Sequence, residues 1–326
     1  MNGGPLLVID RLSTQFRSRR GLAPAVEEVS LTLARGEVLG LVGESGSGKT
    51  AIGLSILGLV PPPGLVTGGA IRFDGIELTG LAPAAMRALR GRRIAMIFQD
   101  PMMTLNPVLT IGTQMIEAVR AHDAVSRAAA RRQACAALAR VGIAAPEERL
   151  RAYPHQFSGG MRQRIAIAIA MLHRPDLIIA DEPTTALDVT TQGQILFEMQ
   201  TLIRDSGTAV IWITHDLSVV AGLADSIAVL YAGRIVETGP VGAVLDRPLH
   251  PYTRGLIDST PSRNPRGQPL AQIPGMLAPP GERGPGCAFA GRCGRRSTRC
   301  IDMPALAELR PGQWGRCWHP LAATGT

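Results

Sequence analysis

Lysine is almost missing from this chain. Of its 34 basic lysine and arginine residues, Lys49 alone is lysine. Where the two cations are interchangeable the sequence uses arginine, so the one lysine marks a position that needs a compact ammonium, not a planar fork. Aromatics make up only 4% of the 326 residues, and few are interleaved with the arginines of the C-terminal part. That argues against base stacking on a nucleic acid. The opening segment has no basic stretch leading into an apolar one, which speaks against secretion, so the five cysteines are expected to stay reduced in the cytosol. Residues 50–71 carry no charge, but Pro61-Pro62-Pro63 and several glycines interrupt them, which excludes a spanning helix.

What is present fits a globular protein: 45% hydrophobic residues and a mean hydropathy of +0.14. The length allows two domains, or one domain with an extension. The net charge of +8 is uneven. From Asp246 onward eleven arginines face five acids, so +6 of the total lies in the tail. Such a tail could meet nucleic acid, anionic lipid or a bound anionic cofactor.

The single lysine sits in Gly43-Glu44-Ser45-Gly46-Ser47-Gly48-Lys49-Thr50, directly after the apolar run Val38-Leu39-Gly40-Leu41-Val42. A buried strand, a loop with glycines at Gly43, Gly46 and Gly48, and a helix opening near Lys49 make a phosphate cradle. Backbone N–H groups, including those of Ser45 and Ser47, would converge on phosphates. Lys49 would reach the β/γ-phosphates, and the Thr50 hydroxyl would ligate Mg²⁺. This is read as a nucleotide-phosphate site.

Around it, residues 6–42 alternate as an antiparallel strand layer. Phe16 ends the first strand, either as a stacking partner for adenine or as an ordinary edge aromatic. The apolar strand Arg93–Phe98 ends at Gln99, followed by a loop carrying Met102 and Met103 that is either a docking surface or part of the core. Residues 108–157 read as helical, with Ser126 as a cap and Gly142 as a stop. Cys135 reads as a small core residue. Ser158 is placed to cap a helix opened by Gly159 and Gly160, a second site where an anion could bind. Leu177–Ala180 is a buried strand ending in Asp181 and Glu182. Asp181 would hold Mg²⁺ through water, and Glu182 would orient and deprotonate a water. A last strand, Val210–Thr214, ends at His215, beside a γ-phosphate.

The ordered set GESGSGKT, Gln99, Phe157-Ser158-Gly159-Gly160-Met161, LIIADE, Ala186-Leu187-Asp188 and Ile213-Thr214-His215 resembles the nucleotide-binding subunit of ABC transporters over roughly residues 6–245. The resemblance implies an α/β P-loop NTPase of ABC type: a mixed β-sheet core, an antiparallel β layer and an inserted helical subdomain at about residues 100–165. It implies that Gln99 senses Mg²⁺ and γ-phosphate and faces a membrane subunit. Ser158, Gly159 and Gly160 would cap ATP bound to an opposite subunit, Asp188 would contact across that dimer, and His215 would act as a switch. Met161 departs from the glutamine usual at that place, leaving the backbone and Ser158 as donors. The segment Arg247–Leu256 and the Pro/Cys-rich tail, within residues 246–326, resemble ATPase subunits of dipeptide and oligopeptide importers, of which nickel importers are relatives. The implied partners are two membrane permeases, a second ATPase subunit and, indirectly, an extracytoplasmic substrate-binding protein. The implied location is peripheral, on the cytoplasmic face of the membrane. A soluble ABC-type ATPase acting on nucleic acid through the basic tail is the rival.

Cys287, Cys293, Cys300 and Cys317 gather within the Gly/Pro-rich tail, which has too little apolar content to fold alone. Four thiolates suit a structural zinc or an iron–sulfur centre, and successive gaps of five and six residues are wide for zinc. Arg292, Arg295, Arg296 and Arg299 would offset the thiolate charge. The importer resemblance implies a [4Fe–4S] cluster, with Zn²⁺ as the alternative.

Overall fold

The computed structural model describes residues 4–18, 21–185, 189–264 and 267–322. The chain divides into two compact units, residues 1–80 with 212–326 and residues 81–211.

The first unit opens with β1 (Leu7–Ser18) and β2 (Gly21–Leu33), an antiparallel hairpin. Leu7, Ile9 and Leu12 all point inward although the alternation would place Leu12 outside. A register slip between Ile9 and Leu12, with Arg11 at φ 46°, inserts one residue and restores the apolar face. β3 (Val38–Val42) is buried at every position, as a strand covered on both faces must be. It leads through the glycine loop into α1 (Lys49–Ile56). β4 (Gly64–Phe73) and β5 (Ile76–Glu77) complete an antiparallel layer in the order β2-β1-β4-β5.

The second unit carries α2 (Pro83–Leu89) and β6 (Ile94–Ile97), then a helical stretch: α3 (Ile111–Arg120), α4 (Arg127–Arg140), α5 (Pro146–Arg149) and α6 (Gly159–Ala170). The Ser126 hydroxyl accepts from the Ala129 N–H to start α4, and Gly142 leaves it at φ 72°. β7 (Leu177–Asp181) runs parallel to β6, with Ile97 opposite Ala180. α7 (Val189–Ser206) follows. β8 (Ala209–Thr214) begins in this unit and ends in the first.

The chain then adds α8 (Leu217–Leu223), β9 (Ser226–Tyr231) and β10 (Arg234–Pro240) to the first unit. β9 is parallel to β3 and antiparallel to β10, so the sheet is mixed. After α9 (Val241–Asp246) and α10 (Pro251–Asp258), the last strands, β11 (Ala307–Arg310) and β12 (Gln313–Gly315), join the same sheet beyond β10. Their anchor is Glu237, fully buried, whose carboxylate accepts from the Leu249 and His250 N–H groups at 2.7 and 2.9 Å and from Gln313 Nε2 at 2.9 Å. Among the described residues no helix is long and apolar enough to cross a membrane.

Candidate functional site

The loop between β3 and α1 is threaded through a space that only glycine fits. A Cβ on Gly43 would stand 2.2 Å from the Leu230 carbonyl oxygen, and one on Gly48 2.3 Å from that of Ala25. Gly48 holds φ 107° as it enters the helix. Lys49 is buried, with Nζ donating to the carbonyls of Gly43 at 2.7 Å and Glu44 at 3.1 Å. The Ser47 hydroxyl is buried with no hydrogen-bond partner among the described residues. A buried hydroxyl with a donor to offer, in a loop of N–H groups at a helix start, fits an anionic ligand. Thr50 and His215 are exposed in this unit.

In the second unit the parallel register of β6 and β7 brings their carboxyl ends level, and the residues just past them meet. Gln99 Nε2 donates to Glu182 Oε2 at 3.3 Å, and the Thr185 hydroxyl donates to the same oxygen at 3.0 Å. Asp181 is buried at the strand end. Glu182 sits at φ 46°, a conformation a side chain of this kind adopts only when its surroundings impose it. Ser158 caps α6 by accepting the Met161 N–H at 3.3 Å, with Gly159 and Gly160 as the first helical residues. Asp188 lies outside the described residues. Phe16 is half-buried and packs over Gly64, where a Cβ would come within 2.6 Å of its ring. Met102 is half-buried, whereas Met103 is 73% exposed and does not serve the core.

Comparison with known proteins gives two family matches: "ABC transporter" over residues 26–185 and "Oligopeptide/dipeptide transporter, C-terminal region" over residues 236–300. Along nearly its whole length the chain is similar to the Dipeptide transport ATP-binding protein DppD of Bacillus subtilis (strain 168), at 48% identity over 96% of this chain and 94% of that one. The chain belongs to the peptide-import ATP-binding subunits of ABC transporters. Other members include a putative peptide import ATP-binding protein of Brucella abortus (strain 2308), 46% identical over 96% of this chain and 94% of the relative. DppD of Escherichia coli (strain K12) is 43% identical over 98% of both chains. A dimeric post-hydrolysis structure of the ATP-binding cassette MJ0796 bound to ADP and Pi matches with a TM-score of 0.65 and 27% identity, covering 72% of this chain and 98% of that one.

In this family member the tail holds four half-buried cysteines, none of them in a disulfide. Burial pushes the Cys317 thiol up to about 11, with Cys287, Cys293 and Cys300 adding to the rise, and pushes Cys287 up as well. The Cys287 N–H donates to the Cys300 carbonyl at 3.0 Å. Backbone N–H groups point at two sulfurs, Arg295 to Cys293 at 3.4 Å and His319 to Cys317 at 3.3 Å. Among the described residues no three His, Cys, Asp or Glu side chains are arranged as a ready-made metal site. Cys135 is apart from them and is not the core residue expected, since it is half-buried and donates to Glu147 Oε1 at 2.9 Å.

The arginines near the cysteines divide. Arg299 lies over the Trp318 ring, 4.5 Å from its centroid, and Arg292 is turned away to Glu44 in the glycine loop. Pattern reading missed Glu44, Tyr252 and Arg292. The only signal was an acidic residue inside an anion-binding loop, which needs a cation beside it.

Proposed function

We propose that this chain is the ATP-hydrolysing motor of an importer that takes di- or oligopeptides across the cytoplasmic membrane. It works at the cytoplasmic face with a second ATPase subunit and two permeases, and an extracytoplasmic binding protein delivers the substrate. The relatives named for peptide and dipeptide import support the substrate class. The exposed Met103, and Val108 at 75% exposure, supply an apolar surface for a permease helix.

The observation that carries the chemistry is the strand-end pair: Glu182, at positive φ, held by Gln99. The loop N–H groups, Ser47 and Lys49 bind the β/γ-phosphates, and the ammonium neutralises charge there. Thr50, Gln99 and Asp181 are the residues that would hold Mg²⁺, which would supply positive charge against the phosphates. Glu182 accepts a proton from the attacking water, while Gln99 keeps its carboxylate oriented. His215 donates to the γ-phosphate. Ser158, Gly159 and Gly160 present the start of α6 to ATP on the second subunit, Asp188 contacts that subunit, and Phe16 offers a ring to the adenine. Glu182→Gln is expected to bind Mg-ATP but to lose turnover about 100-fold or more, the scale of a lost general base. Turnover within about threefold of the parent would remove Glu182 from that role.

The tail reads as a metal-binding extension. Cys287, Cys293, Cys300 and Cys317 supply four sulfurs, and backbone N–H groups reach two of them, a contact that tunes metal-bound thiolates. Zinc is the alternative. Anaerobic purification with iron, zinc and acid-labile sulfide analysis decides, and a colourless protein with one zinc and no iron excludes the cluster. The rival reading of the tail as a nucleic-acid arm is disfavoured, because several of its arginines face inward. Arg283 donates to the Ala232 and Ala278 carbonyls, Arg310 to those of Arg247 and Leu321, and Arg316 to those of Ile235 and Pro304.

A further inference from the structure

Glu44, the residue after the first loop glycine, is gripped at all three of its polar points. Its N–H donates to Tyr252 Oη at 2.8 Å, and its carbonyl accepts from Lys49 Nζ at 3.1 Å. Its carboxylate is forked by Arg292, Nη1 to Oε2 at 2.7 Å and Nη2 to Oε1 at 3.0 Å. Two of the three grips come from the C-terminal extension, and the third is the loop's own lysine.

Arg292 has no donor to spare. Nε donates to the Pro274 carbonyl at 2.7 Å, Nη1 also reaches Tyr231 Oη at 3.3 Å, and Nη2 also reaches the Ile273 carbonyl at 3.5 Å. That completes the five N–H groups of a guanidinium. The side chain is only 9% exposed. It lies within 6 Å of the rings of Tyr231 and Phe289, at 5.8 and 5.9 Å, and Phe289 packs in turn on Tyr231, Tyr252 and His250. This is a built bidentate pair, its guanidinium buried and its carboxylate 28% exposed, and its geometry is specific. The place where it stands gives it consequence. A carboxylate in the phosphate loop repels the phosphates unless a cation cancels it, and the low local dielectric strengthens that repulsion.

We propose that Arg292 is a positioning residue for nucleotide binding: it neutralises Glu44 and fixes its orientation, so that Lys49 and the loop N–H groups face the phosphates. The C-terminal extension is thereby part of the ATP site. The proposal rests on the reading of Gly43–Thr50 as that site. It requires no metal at the cysteines, since the Arg292 contacts are made by protein groups alone. It also assigns opposite signs to the two partners of one ion pair. Removing Arg292 leaves an unpaired anion beside the phosphates; removing the Glu44 carboxylate leaves an unpaired cation there.

The test is titration of the full-length chain with Mg-ATP at low and high salt, with melting curves to check the fold of each variant. Arg292→Gln is expected to weaken binding about tenfold at low salt, and less at high salt where the repulsion is screened. Glu44→Gln is expected to bind at least as tightly as the parent. The Glu44→Gln/Arg292→Gln pair is expected to return to within about twofold of the parent. If Arg292 only glued the extension in place, both single variants would weaken binding alike and the double variant would not recover; that result overturns the proposal. Should Arg292→Gln fail to fold, the Glu44→Gln titration still decides, because weakened binding there contradicts the sign. Lys49→Ala separates the two levels. If it binds Mg-ATP like the parent, the reading of the loop itself fails. If it is impaired while Arg292→Gln is unaltered, only the role of Arg292 falls.

Discussion

The phosphate loop and the C-terminal extension are both glycine-rich stretches with little apolar surface to bury, yet they are held in opposite ways. The loop is held by backbone. Its glycines lie against the carbonyls of Leu230 and Ala25, and even its buried lysine grips main-chain oxygens. The extension is held by long polar side chains that reach inward. Glu237 collects three N–H donors, Arg316 reaches two carbonyls, and Gln313 and Arg310 do likewise. Its apolar residues contribute less: Met276 and Ile301 stand 90% and 65% exposed. A segment short of apolar area can still be fixed by satisfying many buried polar groups at once, provided each finds its partner.

The sharpest way to break this comparison is to alter the loop's lysine. Lys49→Arg keeps the charge but puts a fork where a compact ammonium meets two carbonyls. Losing two charge-assisted hydrogen bonds predicts about a 100-fold loss in Mg-ATP affinity. Parent-like affinity, measured by equilibrium titration, would show that a guanidinium fits and that the scarcity of lysine elsewhere carries no message.

That difference in how the regions are held also decides what could be read in advance. The loop, the strand-end Asp181 and Glu182, the Ser158 cap and the Ser126 to Gly142 helix follow from rules about glycine, caps and apolar strands that act within a few residues. The antiparallel layer follows from the alternation over residues 6–42, whereas the mixed sheet is implied only by the family resemblance. The pairing of Gln99 with Glu182 needed strand register as well, since 83 residues separate them. What stayed hidden is the traffic between the extension and the loop. Arg292 sits among cysteines in the sequence and was assigned to their charge, but 248 residues separate it from the carboxylate it binds. No local period encodes such a contact. Likewise nothing in the order of residues 307–315 announces that they edge the sheet begun by β3, because the strands are short and their faces largely exposed.

A second way to test the comparison is to remove the side-chain anchor that holds the extension. Glu237→Ala leaves the buried Leu249 and His250 N–H groups without an acceptor, while Gln313 Nε2 keeps the Ala243 and Arg247 carbonyls, so a loss of about 3 kcal/mol is expected, with early melting of residues beyond 247. Hydrogen exchange read by segment checks it. Uniform destabilisation, with the extension no more exposed than the loop, would mean that Glu237 does not anchor the tail.

The smallest effect concerns pH. Burial holds the His250 imidazole down to about 3, and its Nδ1 accepts the Tyr252 N–H at 3.0 Å, so it is neutral in the fold. A base depressed in this way contributes stability above its ordinary pKa that is lost as pH falls toward 3, by roughly 1.4 kcal/mol per unit once below about 6.5. Burial raises the Glu237 carboxyl, which acts in the opposite sense: its contribution is present below the ordinary carboxylate range and lost as pH rises through its folded value. His250→Asn keeps a capping acceptor and cannot titrate, so its stability should fall less steeply between about pH 6.5 and pH 5. Parallel slopes for parent and variant would remove His250 as the cause.

The most direct test of the whole account is ATP-driven uptake of a labelled dipeptide into vesicles carrying the permeases, the binding protein and this subunit with its ATPase partner. The account expects uptake with the parent chain and near-complete loss when this chain carries Glu182→Gln and its ATPase partner the matching substitution, while Mg-ATP remains bound. Dipeptide uptake that continues unchanged with those substitutions would contradict it.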